Sequence, residues 1–255
     1  MLGVPRGRLA LIDGFTADQL AEFDALVARR AAGEPVQHLV GIAGFRHLEL
    51  AVGPGVFVPR PETELLAGWG VTLITAGATV VDLCAGSGAI ALSVANEVPG
   101  ARVYAVERSP AALSWLRRNA EARAAAGDTP IRVVEGDVTD PAVLAELDGT
   151  VDVVLCNPPY VPAGAAVPAD VADHDPYDAV FAGADGLEVI RPVIARAAAL
   201  LRPGGYLVVE HDDSHATVVP ALLRADGRFV DIEDHQDLAG RSRYSTARHV
   251  ADCTP

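Results

Sequence analysis

The 255-residue chain contains no lysine, and all 20 of its basic residues are arginine. That absence removes a Schiff-base amine, a P-loop lysine and a kinase-type phosphate lysine from consideration. Cysteine is scarce too. Cys84, Cys156 and Cys253 are dispersed and form neither a disulfide framework nor a metal-ligand cluster. No apolar run approaches the roughly 18–20 residues needed to cross a bilayer. Residues 1–13 carry two arginines but no long apolar segment and no small-residue cleavage site, which argues against secretion. A soluble, cytoplasmic protein without a membrane partner is expected. Positive charge is outweighed, with 34 acidic residues and a net charge of −14. Tight non-specific binding to nucleic acid needs many phosphate contacts, so no direct nucleic-acid partner is expected. An acidic surface suits a positively charged protein or an RNA-associated factor.

Hydrophobic residues make up 50% of the chain, enough to core one large α/β domain with a small appendage. Residues 16–30 read as a helix, with Thr16 and Gln19 as a capping box, Leu20, Phe23, Leu26 and Val27 as an apolar stripe, and Gly33 beyond its end. Residues 36–57 alternate loosely around four glycines, as a β-hairpin does. Pro59-Arg60-Pro61-Glu62-Thr63-Glu64 opens a further helix, with acids in the first turn where the helix dipole favours them. A regular alternation follows. Strands are predicted at 79–83, 102–106, 131–135, 151–156 and 206–210, and helices at 89–98, 110–126 and 187–201, with Ser109 as an N-cap and Pro110 behind it. A short helix is predicted near 141–147, a long polar loop at 161–185 and a Pro203-Gly204-Gly205 turn. One more helix and two antiparallel strands near 229–233 and 244–250 close the chain. Strands alternating with helices predict a doubly wound, mostly parallel sheet.

The sharpest local signal is Asn157-Pro158-Pro159-Tyr160, directly after the apolar run 151–156. Each proline lacks an N–H and fixes φ, so the strand can neither pair further nor pass into a helix. The Asn157 amide and the carbonyls of Asn157 and Pro158 are left without ladder partners. Rigid acceptors at a strand end can grip an –NH2 group by both hydrogens, and Tyr160 adds a flat face. The motif reads as a clamp for a planar nitrogen nucleophile, with a rigid loop opener as the plain alternative.

Asp82-Leu83-Cys84-Ala85-Gly86-Ser87-Gly88 bridges the first parallel strand and its helix. Gly86 and Gly88 let backbone approach a ligand, and the helix N-terminus offers free N–H groups. Glu107 ends the next strand, where an acid takes ribose hydroxyls. The same stretch fits a G-x-G-x-x-A dinucleotide site, or a tight turn with no ligand. Asp137 follows the third strand and can accept an adenine amine beside Val138, or serve as an N-cap. His211-Asp212-Asp213-Ser214-His215 resembles a metal cluster, but at a strand-to-helix turn Asp and Ser have ordinary capping roles. No metal is expected. His174-Asp175 reads as a solvated or substrate-facing pair, because no nucleophile motif accompanies it. Cys84 and Cys156 read as small buried hydrophobes.

Taken together, residues 29–37, 57–64, 82–90 and 157–162, and Arg202-Pro203-Gly204-Gly205 leading to Glu210-His211, resemble the HemK/PrmC family. Its members are S-adenosylmethionine-dependent glutamine methyltransferases of class-1 peptide chain release factors. The resemblance spans about residues 25–250. Asn-Pro-Pro-Tyr alone is shared with DNA adenine and ribosomal methyltransferases, whereas the Pro59–Glu64 segment is more specific. It implies a Rossmann-like class I methyltransferase with a seven-stranded sheet, divided as a helical segment 1–35, a hairpin linker 36–58 and a catalytic domain 59–255. It also implies methylation of the glutamine of a release factor's Gly-Gly-Gln loop, and a monomer is expected. Cys84, Ala85, Gly86, Ser87 and Gly88 would hold the methionine end of S-adenosylmethionine. Glu107 would hold the ribose, Asp137 and Val138 the adenine, and Asn157 would face the cofactor as well as the acceptor. Asn157 and Pro158 would bind the glutamine amide between Pro159 and Tyr160, with no metal involved.

Two departures stand out. Cys84 occupies the place of the family's first glycine, and Glu107 that of a more usual aspartate. Only one clear helix precedes the hairpin where the family carries a small bundle, so either the true start lies upstream or docking surface has been lost. A nucleic-acid adenine or guanine N-methyltransferase using the same clamp, and a non-catalytic cofactor-binding protein, remain as alternatives. A dehydrogenase has no use for Asn157-Pro158-Pro159-Tyr160.

Overall fold

Two hydrophobic periods organise this chain, and the computed structural model describes residues 6–250 of it. After a 3-10 turn at Arg6–Leu11, helix α1 (Ala17–Ala31) begins at the predicted capping box. Thr16 Oγ1 accepts from Gln19 N at 3.2 Å, and Gln19 Oε1 accepts from Thr16 N at 2.9 Å. No residue of α1 is buried, so its apolar stripe faces outward.

The segment predicted as a hairpin departs from that reading at its start. Residues Val36–Val40 form a short helix, α2, preset by Pro35 and ended by Gly41 at φ +75°. The hairpin is confined to β1 (Ile42–Phe45) and β2 (Leu48–Ala51), an antiparallel pair that buries Ala43, Phe45, Leu48 and Leu50. Helix α3 (Thr63–Leu73) then carries the Pro59–Glu64 segment to the sheet.

The remaining elements alternate as expected: β3 (Thr79–Asp82), α4 (Ala89–Glu97), β4 (Arg102–Glu107), α5 (Pro110–Ala125), β5 (Arg132–Glu135) and β6 (Val151–Cys156). Ser109 caps α5 with Pro110 at its first turn. Helices α6 (Ala169–His174), α7 (Tyr177–Val180) and α8 (Ile190–Leu200) lead to β7 (Leu201–Glu210), α9 (Val218–Asp226), β8 (Phe229–Gln236) and β9 (Ser242–His249). The seven long-sheet strands lie in the order β5-β4-β3-β6-β7-β9-β8, parallel except where β9 pairs with β7 and β8. This is the fold of class I methyltransferases.

Alternation along each strand feeds two cores. Val81, Val154, Cys156, Leu207 and Val209 pack with α8 and α9 on one face. Val80, Val153, Leu155 and Val208 pack with α3, α4 and α5 on the other. Each fully buried aliphatic side chain contributes about 1.5–3 kcal/mol relative to exposure, so the central strands are the rigid base of the molecule.

Three local readings are corrected. The helix predicted near 141–147 is only a 3-10 turn at Ala145–Leu147, because the Asp137 and Asp140 side chains accept from Thr139 N and Ala142 N and turn the chain locally. The 161–185 loop contains α6 and α7, each started by a proline, Pro168 and Pro176. Pro203-Gly204-Gly205 is not a turn before a strand but an irregularity inside β7, where the β6 register shifts. No helix among the described residues is long and apolar enough to cross a membrane. Cys253 lies outside the described residues.

Candidate active site

The strand order reverses between β3 and β6, since β4 and β5 extend to one side of β3 and β6 and β7 to the other. Open α/β sheets bind ligands at such a switch point, beyond the carboxyl ends of the strands. A cavity of about 730 Å³ opens there. That volume falls within the range of roughly 300–1,000 Å³ typical of small-molecule sites. Cys84, Ala85, Gly86, Ser87, Glu107, Asp137, Val138 and Asn157 all line it. Gly88 does not line it and has a different duty. At φ +89° it is the N-cap of α4, and a Cβ there would come within 2.6 Å of Leu116. Gly86, at φ +55°, faces open space instead, so its backbone can be approached by a ligand.

Glu107 does more than offer oxygens to the cavity. Its Oε2 accepts from Gly86 N at 2.8 Å and its Oε1 from Ser109 N at 2.7 Å. One carboxylate thus ties the glycine loop after β3 to the start of α5, and it keeps lone pairs for a further donor. Asp137 combines both roles considered for it. Oδ1 accepts from Thr139 N at 2.8 Å, a local cap, while Oδ2 takes Arg108 Nη1 at 3.2 Å beside the cavity. Burial acts to raise the Asp137 pKa, but the Thr139 and Arg108 contacts outweigh it and hold the carboxylate below its usual range.

A second cavity, of about 250 Å³, lies on the far side of Asn157. Pro158 and Tyr160 line only this one, whereas Asn157 and Pro159 line both. Asn157 therefore stands where the two spaces meet. Its Nδ2 donates to Thr63 Oγ1 at 3.1 Å, which leaves Oδ1 as the free acceptor. Tyr160 donates its hydroxyl to Glu210 Oε1 at 3.0 Å. Glu210 is buried at the end of β7, and its pKa is pushed up to about 7 by burial, against the opposing pull of Thr63, Tyr160 and Arg243. Its Oε2 has no hydrogen-bond partner.

His174-Asp175 is not a solvated pair. The Asp175 side chain is fully buried, accepts from Val58 N at 3.3 Å and pairs with Arg60, whose guanidinium sits 4.9 Å from the centre of the Phe57 ring. Burial raises the Asp175 pKa, with Arg60 opposing. The pair pins α6 and α7 to the segment before α3, and Tyr177 and Asp178 thereby reach the rim of the larger cavity. Cys156 is buried as expected, but Cys84 is only half-buried and lines the cavity. Asp212 caps Ser214 N at 3.0 Å, and among the described residues no group of three or more His, Cys, Asp or Glu side chains could hold a metal ion.

Sequence reasoning assigned no role to Thr63, Arg108, Glu210 or Arg243. Thr63 and Glu210 sit in quoted segments, and the usable signal was topological. The start of α3 and the end of β7 both meet the carboxyl end of β6.

Comparisons with known proteins agree with this geometry. The family described as Methyltransferase small domain matches residues 62–174, and that described as PrmC N-terminal domain matches residues 1–41. A release factor glutamine methyltransferase from Mycolicibacterium smegmatis is 51% identical over 98% of this chain and 87% of its own length. A 4-amino-L-phenylalanine/4-methylamino-L-phenylalanine methyltransferase from Streptomyces pristinaespiralis is 44% identical over 80% of this chain and 70% of its own. Among solved structures, a protein described as a predicted O-methyltransferase from Agrobacterium tumefaciens matches with a TM-score of 0.54 and 25% identity, covering 74% of this chain and 80% of that one.

Proposed function

This chain belongs to the release factor glutamine methyltransferase family, and from that premise we propose that it transfers a methyl group from S-adenosylmethionine to the side-chain amide nitrogen of the glutamine in the Gly-Gly-Gln motif of class-1 peptide chain release factors. The observation that carries this reading is the position of Asn157 between two cavities of unequal size. The larger suits the cofactor and the smaller an extended side chain ending in –NH2.

The residues present fit the cofactor. Gly86 leaves open space before its backbone, and Cys84, Ala85 and Ser87 would surround the methionine end. Glu107 would take the ribose hydroxyls, and Asp137 and Val138 the adenine. When bound, S-adenosylmethionine supplies an electrophilic methyl on a sulfonium leaving group.

The chain's own residues then deal with a poor nucleophile. An amide nitrogen shares its lone pair with the carbonyl. Asn157 Oδ1 and the Pro158 carbonyl would accept its two N–H bonds, turn the lone pair toward the larger cavity and stabilise positive charge as it develops on nitrogen. Tyr160 and Pro159 would flank the amide. No strong base is required, because the proton is lost after transfer.

Docking of the intact factor is assigned to the acidic 161–185 segment and to α1, where Leu20, Phe23 and Val27 are exposed. The enzyme acts as a cytoplasmic monomer and does not contact nucleic acid directly. A second reading, an arylamine acceptor, rests on the relative from Streptomyces pristinaespiralis. Incubation with labelled S-adenosylmethionine separates them. Mass spectrometry should find one added CH2 on the glutamine of a release factor, and more on the whole factor than on a short peptide. Label appearing only on 4-aminophenylalanine, DNA or RNA would overturn the proposal.

A further inference from the structure

We propose that Glu210 is a positioning residue, whose carboxylate sets the hydrogen-bond direction of the Glu210–Thr63–Asn157 chain and anchors Tyr160, so that one group fixes both ends of the amide clamp. The inference deepens the methyl-transfer reading and rests on it.

The argument starts from counting protons. Thr63 Oγ1 receives the Asn157 Nδ2 donor at 3.1 Å, so its single proton must point elsewhere. Thr63 is itself buried, its hydroxyl helps to hold the Glu210 charge, and Glu210 Oε2 has no other partner, so this oxygen is the acceptor to which the Thr63 proton would turn. The two ends of an asparagine amide are nearly equal in size, so packing does not decide which end faces the cavities. An acceptor behind Thr63 decides it. With Glu210 ionised, Thr63 donates backward, Asn157 donates to Thr63, and Oδ1 is presented to the acceptor amide. The second arm is direct, from the Tyr160 hydroxyl to Glu210 Oε1 at 3.0 Å. Glu210 also lines the smaller cavity, 1% exposed, at the point where the clamp closes on it.

Protonation reverses the chain. A neutral Glu210 has a proton of its own to give to Thr63, whose hydroxyl can then turn toward Asn157. The asparagine would flip and present Nδ2 to an incoming N–H, donor against donor. Burial places this switch near neutrality. The charged and titratable groups facing Glu210 are Arg243 from β9, Tyr160 from the loop after β6, Glu62 before α3 and Cys156 at the end of β6. Arg243 favours the ionised form, and Glu62 opposes it.

Two measurements on the full chain test this. Steady-state methylation of a release factor should show kcat falling on the acid side of neutrality, with KM little changed. Glu210→Gln should lower kcat about 10-fold to 100-fold, keep cofactor affinity and lose the acid limb. Thr63→Val, which cuts the chain but leaves Glu210, should do the same and covers the case in which Glu210→Gln fails to fold. Wild-type kcat in a folded variant, or an acid limb retained in it, overturns the proposal. The side-chain amide signals of Asn157 in a proton–nitrogen spectrum, identified by their loss in Asn157→Ala, report the switch without substrate. They should shift through neutral pH in the parent and stay fixed in the variants. A parent that shows the shift but leaves the factor unmethylated refutes the substrate reading alone. Signals that do not move with pH refute the role of Glu210.

Discussion

Asn157 and Thr63, 94 positions apart, share a hydrogen bond of 3.1 Å from amide nitrogen to hydroxyl. It joins the Asn-Pro-Pro-Tyr end of β6 to the first turn of α3. The bond fixes which end of the amide faces Thr63, engages one of its two N–H donors and leaves Oδ1 as an acceptor at the junction of two cavities.

Asn157→Ala should therefore act on chemistry and not on cofactor binding. Loss of one pre-oriented acceptor is expected to lower kcat by about 10²–10³-fold, the range seen for single oxyanion-hole donors. Affinity for S-adenosylmethionine by titration calorimetry should stay within a few-fold. Single-turnover rates equal to the parent would make this asparagine a loop opener only.

Much of this was legible before the structure. The βα alternation, the capping box at Thr16 and the carboxyl-edge placement of Glu107, Asp137 and Asn157 follow from local pattern, because each depends on neighbours in sequence. What could not be read depends on long-range closure. Thr63 and Glu210 meet Asn157 and Tyr160 only because α3 and β7 flank β6. Asp175 looked solvated because a charged residue in a polar loop usually is, and its partner Arg60 lies 115 residues away. Gly88 looked like a cofactor ligand because glycine spacing does not tell a ligand-facing turn from one packed against Leu116.

Glu107→Ala should cost more than one ribose hydrogen bond. The side chain also braces Gly86 and Ser109, so its loss frees the glycine loop that lines the larger cavity. A charged hydrogen bond is worth about 1.5–3 kcal/mol. Calorimetry should show cofactor affinity reduced by at least that amount. Glu107→Gln, which keeps one acceptor oxygen, should lie between. An alanine variant that binds as tightly as the parent would remove Glu107 from the site.

Asp175→Ala should loosen the segment that carries α6 and α7 without melting the sheet. The buried carboxylate is replaced by nothing, and Arg60 and Val58 N lose their partner. Leaving such groups unsatisfied costs about 1–3 kcal/mol each, less for the half-exposed arginine. Limited proteolysis should then cut within residues 161–185 in the variant and spare the parent. Equal resistance in both would show that the ion pair does not hold this segment.

The last prediction concerns pH and stability. Asp82 is fully buried beneath the glycine loop, and burial pushes its pKa up to about 7 against the opposing N–H groups of Ala91 and Cys84. In the unfolded chain an aspartate titrates near about 3.9. Between those values the folded protein holds a proton that the unfolded chain has released. Stability from this group is thus fully present below about pH 4 and is lost as pH rises toward about 7. Glu210 acts with the same sign. His211, whose pKa is lowered by burial, acts with the opposite sign near neutrality, so the parent profile is a sum. A difference isolates Asp82. Asp82→Asn cannot ionise, and denaturant unfolding across this range should show its stability falling less steeply than the parent's. The slope is the readout, since the new amide donor replaces an oxygen that has no partner, and its cost is the same at every pH. Parallel profiles for parent and variant would show that Asp82 is already ionised in the folded protein.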